Sequence, residues 1–157
     1  MKQIITQAEV KALAFSDGEY VSSDVIALAD IDAAIEQWVL PVVGADVLEA
    51  VAKGLYSEFA EKHLKPTIAA FVRCLVQPRL NAVTGQAGLA MPVGSYHKAA
   101  DELARKELSH SLMVRAKALR RAMSEYLESH TAQIAEYDAE QNVLNRCSCY
   151  GGFVQIH

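Results

Sequence analysis

From Ser95 the apolar residues fall on one helical stripe for about 35 residues, a rod of roughly 50 Å at ~1.5 Å rise per residue. Tyr96, Ala100, Leu103, Leu108, Leu112, Leu119, Met123, Tyr126 and Leu127 trace it, in the manner of an amphipathic helix with one core-facing side. A break is expected around Ser129-His130-Thr131. A rod of this length outruns the core of a 157-residue chain, so part of it is expected to pack on another subunit. Any fold for this sequence must therefore be built around a helix longer than its own core.

The rest of the chain agrees with a helical class. Hydrophobic residues make up 52% and aromatics only 7%, so alanine, leucine and valine carry the apolar content, and alanine and leucine are the best helix formers. Thr6-Gln7-Ala8-Glu9 has the form of a capping box and predicts a first helix to about Ala14, ended by Ser16-Asp17-Gly18. Ser22 or Ser23 is expected to cap a second helix, whose Val25, Leu28, Ile31, Ile35 and Trp38 form one apolar stripe. Asp24, Asp30, Asp32 and Glu36 read as its solvated face, and Pro41 as its stop. Val47, Leu48 and Val51 mark a third, short helix capped by Gly54. Pro66 fits the first turn of a fourth helix, in which Ile68, Phe71, Val72, Leu75 and Val76 leave little polar surface and predict a central position. A kink or break is expected at Pro78, with Leu80 to Val83 continuing as a short segment.

Two segments depart from this pattern. Thr84 to Ser95, "TGQAGLAMPVGS", has three glycines, one proline and no charge. It reads as a long apolar loop of the kind that packs on a partner, through Leu89, Met91 and Val93. It lacks the Lys-Ser or Lys-Thr pair of a phosphate-binding loop. The last stretch, "NRCSCYGGFVQIH", places Gly151-Gly152 between alternating residues, a hairpin signal. In that register Tyr150 faces Phe153, Cys149 faces Val154, Ser148 faces Gln155 and Cys147 faces Ile156. One face then carries Cys147, Cys149, Val154 and Ile156, and the other includes Tyr150 and Phe153. An isolated hairpin is marginal in water, so these residues are expected to dock on something. The sequence thus predicts an all-α fold: a compact bundle of about five helices over residues 1–137, one of them long and C-terminal, with a small β-hairpin arm over 138–157.

Function classes narrow by what the motifs lack. Cys147, Cys149 and His157 suggest a metal claw, but zinc sites use C-x₂-C with a second pair elsewhere, so no metal is assigned. No C-x-x-C redox motif and no G-x-S-x-G nucleophile elbow occur. His63, His97, His110 and His130 lie too far apart in sequence for a helical two-histidine site. No catalytic residue and no cofactor site is assigned, and the chain is not expected to be an enzyme. The opening "MKQIITQAEV" lacks a signal peptide's apolar stretch, no run is apolar enough to span a membrane, and three free cysteines fit a reducing cytoplasm. Arg115, Lys117, Arg120 and Arg121 form a locally basic face on the long helix. It reads first as a solvated face, and alternatively as the contact of a small regulatory or nucleic-acid-binding module. The net charge of −4 gives no overall footprint for nucleic acid.

The helix order resembles the small all-helical head–tail connector (adaptor, or head-completion) proteins of tailed bacteriophages, in particular phage-derived forms of Bacteroides-type genomes. The likeness rests on "ITQAEVKAL", "EQWVLPVVGADVLEAV", "LKPTIAAFV", "GQAGLAMPVG" and "AMSEYLESH", which together cover roughly residues 4 to 130. The cysteine-containing hairpin is a departure from it. The resemblance implies a structural subunit that forms a homo-oligomeric ring on the portal of a filled capsid, extends the DNA channel and docks a tail component. It implies no cofactor, no turnover and at most non-specific passage of DNA. It also implies assembly in the bacterial cytoplasm and a final place at the virion head–tail junction.

Overall fold

A computed structural model describes residues 4–15, 19, 21–81, 83–85, 88–90, 101–150 and 153–156, the strand segments by their backbone alone. Among the described residues the fold is a bundle of five helices, the last one long. We number them α1 (Gln7–Ala14), α2 (28–43), α3 (Ala45–Ala52), α4 (57–81) and α5 (Glu102–Ser129). Single 3₁₀ turns lie at Ser23–Val25 and Val143–Asn145.

Helix α1 starts on the expected capping box. The Thr6 hydroxyl accepts from the Glu9 amide at 3.3 Å, and the Glu9 carboxylate accepts from the Thr6 amide at 2.8 Å. The helix ends at Ala14 with Phe15 as its cap, and residues 16–18, the expected terminator, lie outside the described residues. Serine does not cap the second helix. The Ser22 hydroxyl instead accepts from the Asp24 amide at the head of the 3₁₀ turn, and α2 begins only at Leu28. There Asp30 accepts from the Ala27 amide at 2.9 Å. Asp30 also pairs with Arg79, so this carboxylate ties α2 to the end of α4 and is not merely solvated.

Prolines behave differently from the expectation. Pro41 does not stop α2, which passes through a π-turn at Ile35–Val39 and continues over Leu40–Val43. Helix α4 likewise starts at Ser57, nine residues before Pro66 by number, and passes through a π-turn at Ala60–Leu64. In both, the residue before the proline donates to the carbonyl five positions back: Leu40 to Ile35, and Lys65 to Ala60. Proline has no amide to donate, and its ring crowds the carbonyl four back. The wider π-turn moves that carbonyl aside, so the helix carries the proline without breaking. Pro78 sits inside α4, which runs to Asn81 without an assigned break.

Glycine supplies the stops. Gly44, at φ +86°, separates α2 from α3, and its amide donates to Leu40 at 2.9 Å. Gly54, at φ +95°, follows α3 in a Schellman closure, with its amide on Val51 and that of Leu55 on Ala50.

Helix α4 is central, as its composition predicts. Ile68, Ala69, Phe71, Val72 and Val76 are fully buried, against α1, α2 and α5. Trp38 of α2 stacks on Phe71 at 4.7 Å. From α5 come Ala116, Met123 and Leu127, each 0% exposed. Burying a side chain the size of Met123 or Leu127 contributes about 1.5–3 kcal/mol, so α5 is anchored by its C-terminal half. Beyond α5, Ile134 and Tyr137 join the core, and Val143 and Leu144 pack against it. Asn142 is buried and donates to the Ser124 and Tyr137 hydroxyls, each at 2.7 Å. Ala139, Asn142, Val143 and Leu144 thus pack against the helical body.

One short antiparallel backbone pairing, Val83–Gly85 with Gly88–Ala90, lies inside the stretch expected to be loop.

Candidate functional site

Helix α5 is the element that does not fit inside its own fold. Asp101 caps it, accepting from the Ala104 amide at 2.8 Å, and its 28 residues span about 42 Å. From Glu102 to Ser111 every residue but Arg105 is exposed. Leu103 is 65% exposed, Val114 53% and Leu108 38%, whereas of the described residues of the expected stripe only Met123 and Leu127 are fully buried. At about 100° per residue, Leu103 and Val114 share a face on the side opposite Ala116, Met123 and Leu127. The free half is held together by local means, such as the Glu102–Lys106 pair at 2.6 Å. Such i,i+4 pairs contribute only about 0.3–0.5 kcal/mol.

The four basic residues do not form one face. By the same helical angle, Lys117, Arg120 and Arg121 fall within roughly 100° of arc, while Arg115 lies about 120° or more from each. Arg121 bonds Glu125 at 3.0 Å and is otherwise exposed. Arg120 is half-buried, with its guanidinium 5.9 Å from the Phe71 ring centroid, and burial lowers its proton affinity. Lys117, Arg120 and Arg121 share a pocket of about 380 Å³ with Glu125, Glu128 and Leu144. Two acids among three cations make this a poor continuous surface for phosphate backbone.

The structure also brings together two histidines that are far apart in sequence. Tyr126 of α5 stacks on His63 of α4 at 4.3 Å and on His130 at 4.0 Å. Phe59 extends the stack at 5.8 Å from Tyr126. His63 resists protonation, first because it is buried and then because Lys62 and His130 lie near. Phe59–His63 and Tyr126–His130 are both i,i+4 aromatic pairs. That spacing is a visible signal, but only the crossing of α4 and α5 joins the two pairs. The Tyr56 hydroxyl donates to Glu136 at 2.5 Å and holds that carboxyl below its ordinary range. It braces the turn after α5 against the start of α4.

Of the expected interface residues, Met91 and Val93 lie outside the described residues, and Leu89 is placed by its backbone alone. Cys147, Cys149, Tyr150, Phe153, Val154 and Ile156 are likewise placed by their backbone alone, and His157 lies outside the described residues. Cys74, half-buried on α4, is a free cysteine whose thiol burial pushes up. Among the described residues no three His, Cys, Asp or Glu side chains gather as a metal site, and no helix is long and apolar enough to cross a membrane. Comparison with family models, curated proteins and solved structures gives no match.

Proposed function

We propose that this chain is a structural subunit of a phage or prophage head–tail connector, acting by assembly and without turnover. The observation that carries the reading is the free half of α5. Over 102–111 no described side chain is buried, and Leu103 and, further along, Val114 are turned to solvent. A helix of this length is marginal alone in water, and packing against a neighbouring copy stabilises it. In a ring, each long helix lies across the next subunit while its C-terminal half stays anchored in its own body.

On this reading the ring sits on the portal, extends the DNA channel and docks the tail. The hairpin arm over 147–156, with Leu89, Met91 and Val93, supplies contacts to neighbour or partner. Its Cys147 and Cys149 act as small apolar positions. A subunit of net charge −4 suits a channel through which DNA must slide, because strong phosphate contacts would hold it. The protein assembles in the bacterial cytoplasm and ends at the head–tail junction of the virion.

Native mass spectrometry and negative-stain microscopy test this, on the chain alone and mixed with a phage portal protein. A closed ring of copies, free or on the portal, is the expected result. A monomer under both conditions, with no retention on the portal, overturns it.

A further inference from the structure

We infer that the pocket around Arg120 is a binding site for a carboxylate group, with the Arg120 guanidinium as its anchor. The argument starts from a comparison within the molecule. Two arginines lie half-buried or deeper over aromatic rings. Arg73 stands 4.6 Å over Phe15, and its guanidinium grips the Glu19 carboxylate with both terminal nitrogens, at 2.9 and 2.5 Å. The Nε of each arginine is buried without a partner, so the two sites differ at the terminal nitrogens: Arg120 stands over Phe71 with no carboxylate and no hydrogen bond of its own among the described residues. Taking a cation out of water without pairing it is costly. The Arg120 site therefore has the ring and the guanidinium of the Arg73 site, and lacks the acid.

Helix α5 itself cannot supply that acid. The neighbours of Arg120 one turn away are Ala116, Lys117, Met123 and Ser124. The two acids that line the pocket are engaged elsewhere: Glu125 with Arg121 at 3.0 Å, and Glu128 with the Ser124 hydroxyl at 3.5 Å.

Charge and size set the ligand class. Lys117, Arg120 and Arg121 against Glu125 and Glu128 leave a surplus of one positive charge, which suits a monoanion better than a phosphate dianion. A planar carboxylate matches the guanidinium fork. The volume of about 380 Å³ accommodates a short carbon chain, and Leu144 offers it an apolar wall. An acidic side chain of a docked polypeptide and a free short-chain acid share this chemistry. The inference stands apart from the connector reading, since it needs no ring.

The test follows the Arg120 Nε–H resonance of the ¹⁵N-labelled full chain during titration with sodium propionate. Propionamide and sodium chloride at matched ionic strength serve as controls. A saturable shift with propionate alone is expected. Arg120→Lys, which keeps the charge and loses the fork, should weaken propionate binding about tenfold or more, a loss of about 1.4 kcal/mol or more. For that variant the neighbouring backbone amides are followed. Arg120→Gln should abolish binding, with far-ultraviolet circular dichroism confirming the fold of both. Blocked glutamate binding tenfold tighter than propionate assigns the site to a polypeptide side chain, and equal binding assigns it to a free acid. A shift that never saturates, that propionamide reproduces, or that survives in Arg120→Lys unchanged overturns the inference.

Discussion

Glu9 holds three interactions at once. It closes the capping box with Thr6, and its other oxygen receives the Lys65 ammonium at 2.7 Å, so one carboxylate both starts α1 and ties it to α4. The Lys65 contact, followed by the Thr6 amide, pulls its pKa from 4.5 to about 2. An acid lowered by folding contributes stability that is fully present above its ordinary value. That contribution is lost as pH falls from about 4.5 through about 2. Glu9 is more than a third exposed, so screening reduces its contribution to on the order of 1 kcal/mol. Urea melts between pH 6 and 2 should therefore show a shallower acid loss in Glu9→Gln than in the parent. Equal slopes over that interval would refute the assignment. The capping half of this arrangement is legible in the sequence because it closes within four residues. The Lys65 half is not, because it depends on how α1 and α4 cross.

At the scale of elements, the prolines depart from the expectation and Gly54 agrees with it. Proline was expected to end α2, yet α2 and α4 both carry a proline just past a π-turn, while glycine makes the stops. Gly54 was readable as a cap, since a glycine after an apolar run is a local signal. The π-turns were not, because an i→i−5 bond leaves no composition mark and changes the apolar phase by only one residue. Gly44 provides a clean test of where the constraint lies. Its φ of +86° and ψ of 157° are a region essentially reserved for glycine, although a Cβ there would meet nothing within 4 Å. Gly44→Ala should therefore cost about 1–3 kcal/mol in chemical denaturation, through backbone strain alone and without any clash. A loss under about 0.3 kcal/mol would show that the α2–α3 junction relaxes freely, against the strain expected for this conformation.

At the scale of the whole molecule, the sequence makes the length of the last helix plain and its use obscure. Periodicity tells which residues share a stripe, but Leu103 and Leu108 look as core-like as Met123 and Leu127 until the other four helices are placed. The basic residues fail for a related reason: 115, 117, 120 and 121 are neighbours in sequence and are spread around the helix. The free half and the anchored half should respond in opposite ways to substitution. Leu127→Ala opens a cavity under α4 and should cost about 2–5 kcal/mol. Leu103→Glu with Val114→Glu touches no core residue and should leave monomer stability within about 0.5 kcal/mol of the parent. Hydrogen exchange of the monomer should find amides 102–111 much less protected than 116–127, since a bare helix opens locally. On assembly that gap should close in the parent and persist in the double glutamate variant. If the double variant unfolds the monomer, α5 is held by its own body along its full length. If it assembles as the parent does, the projecting half is not the contact between copies.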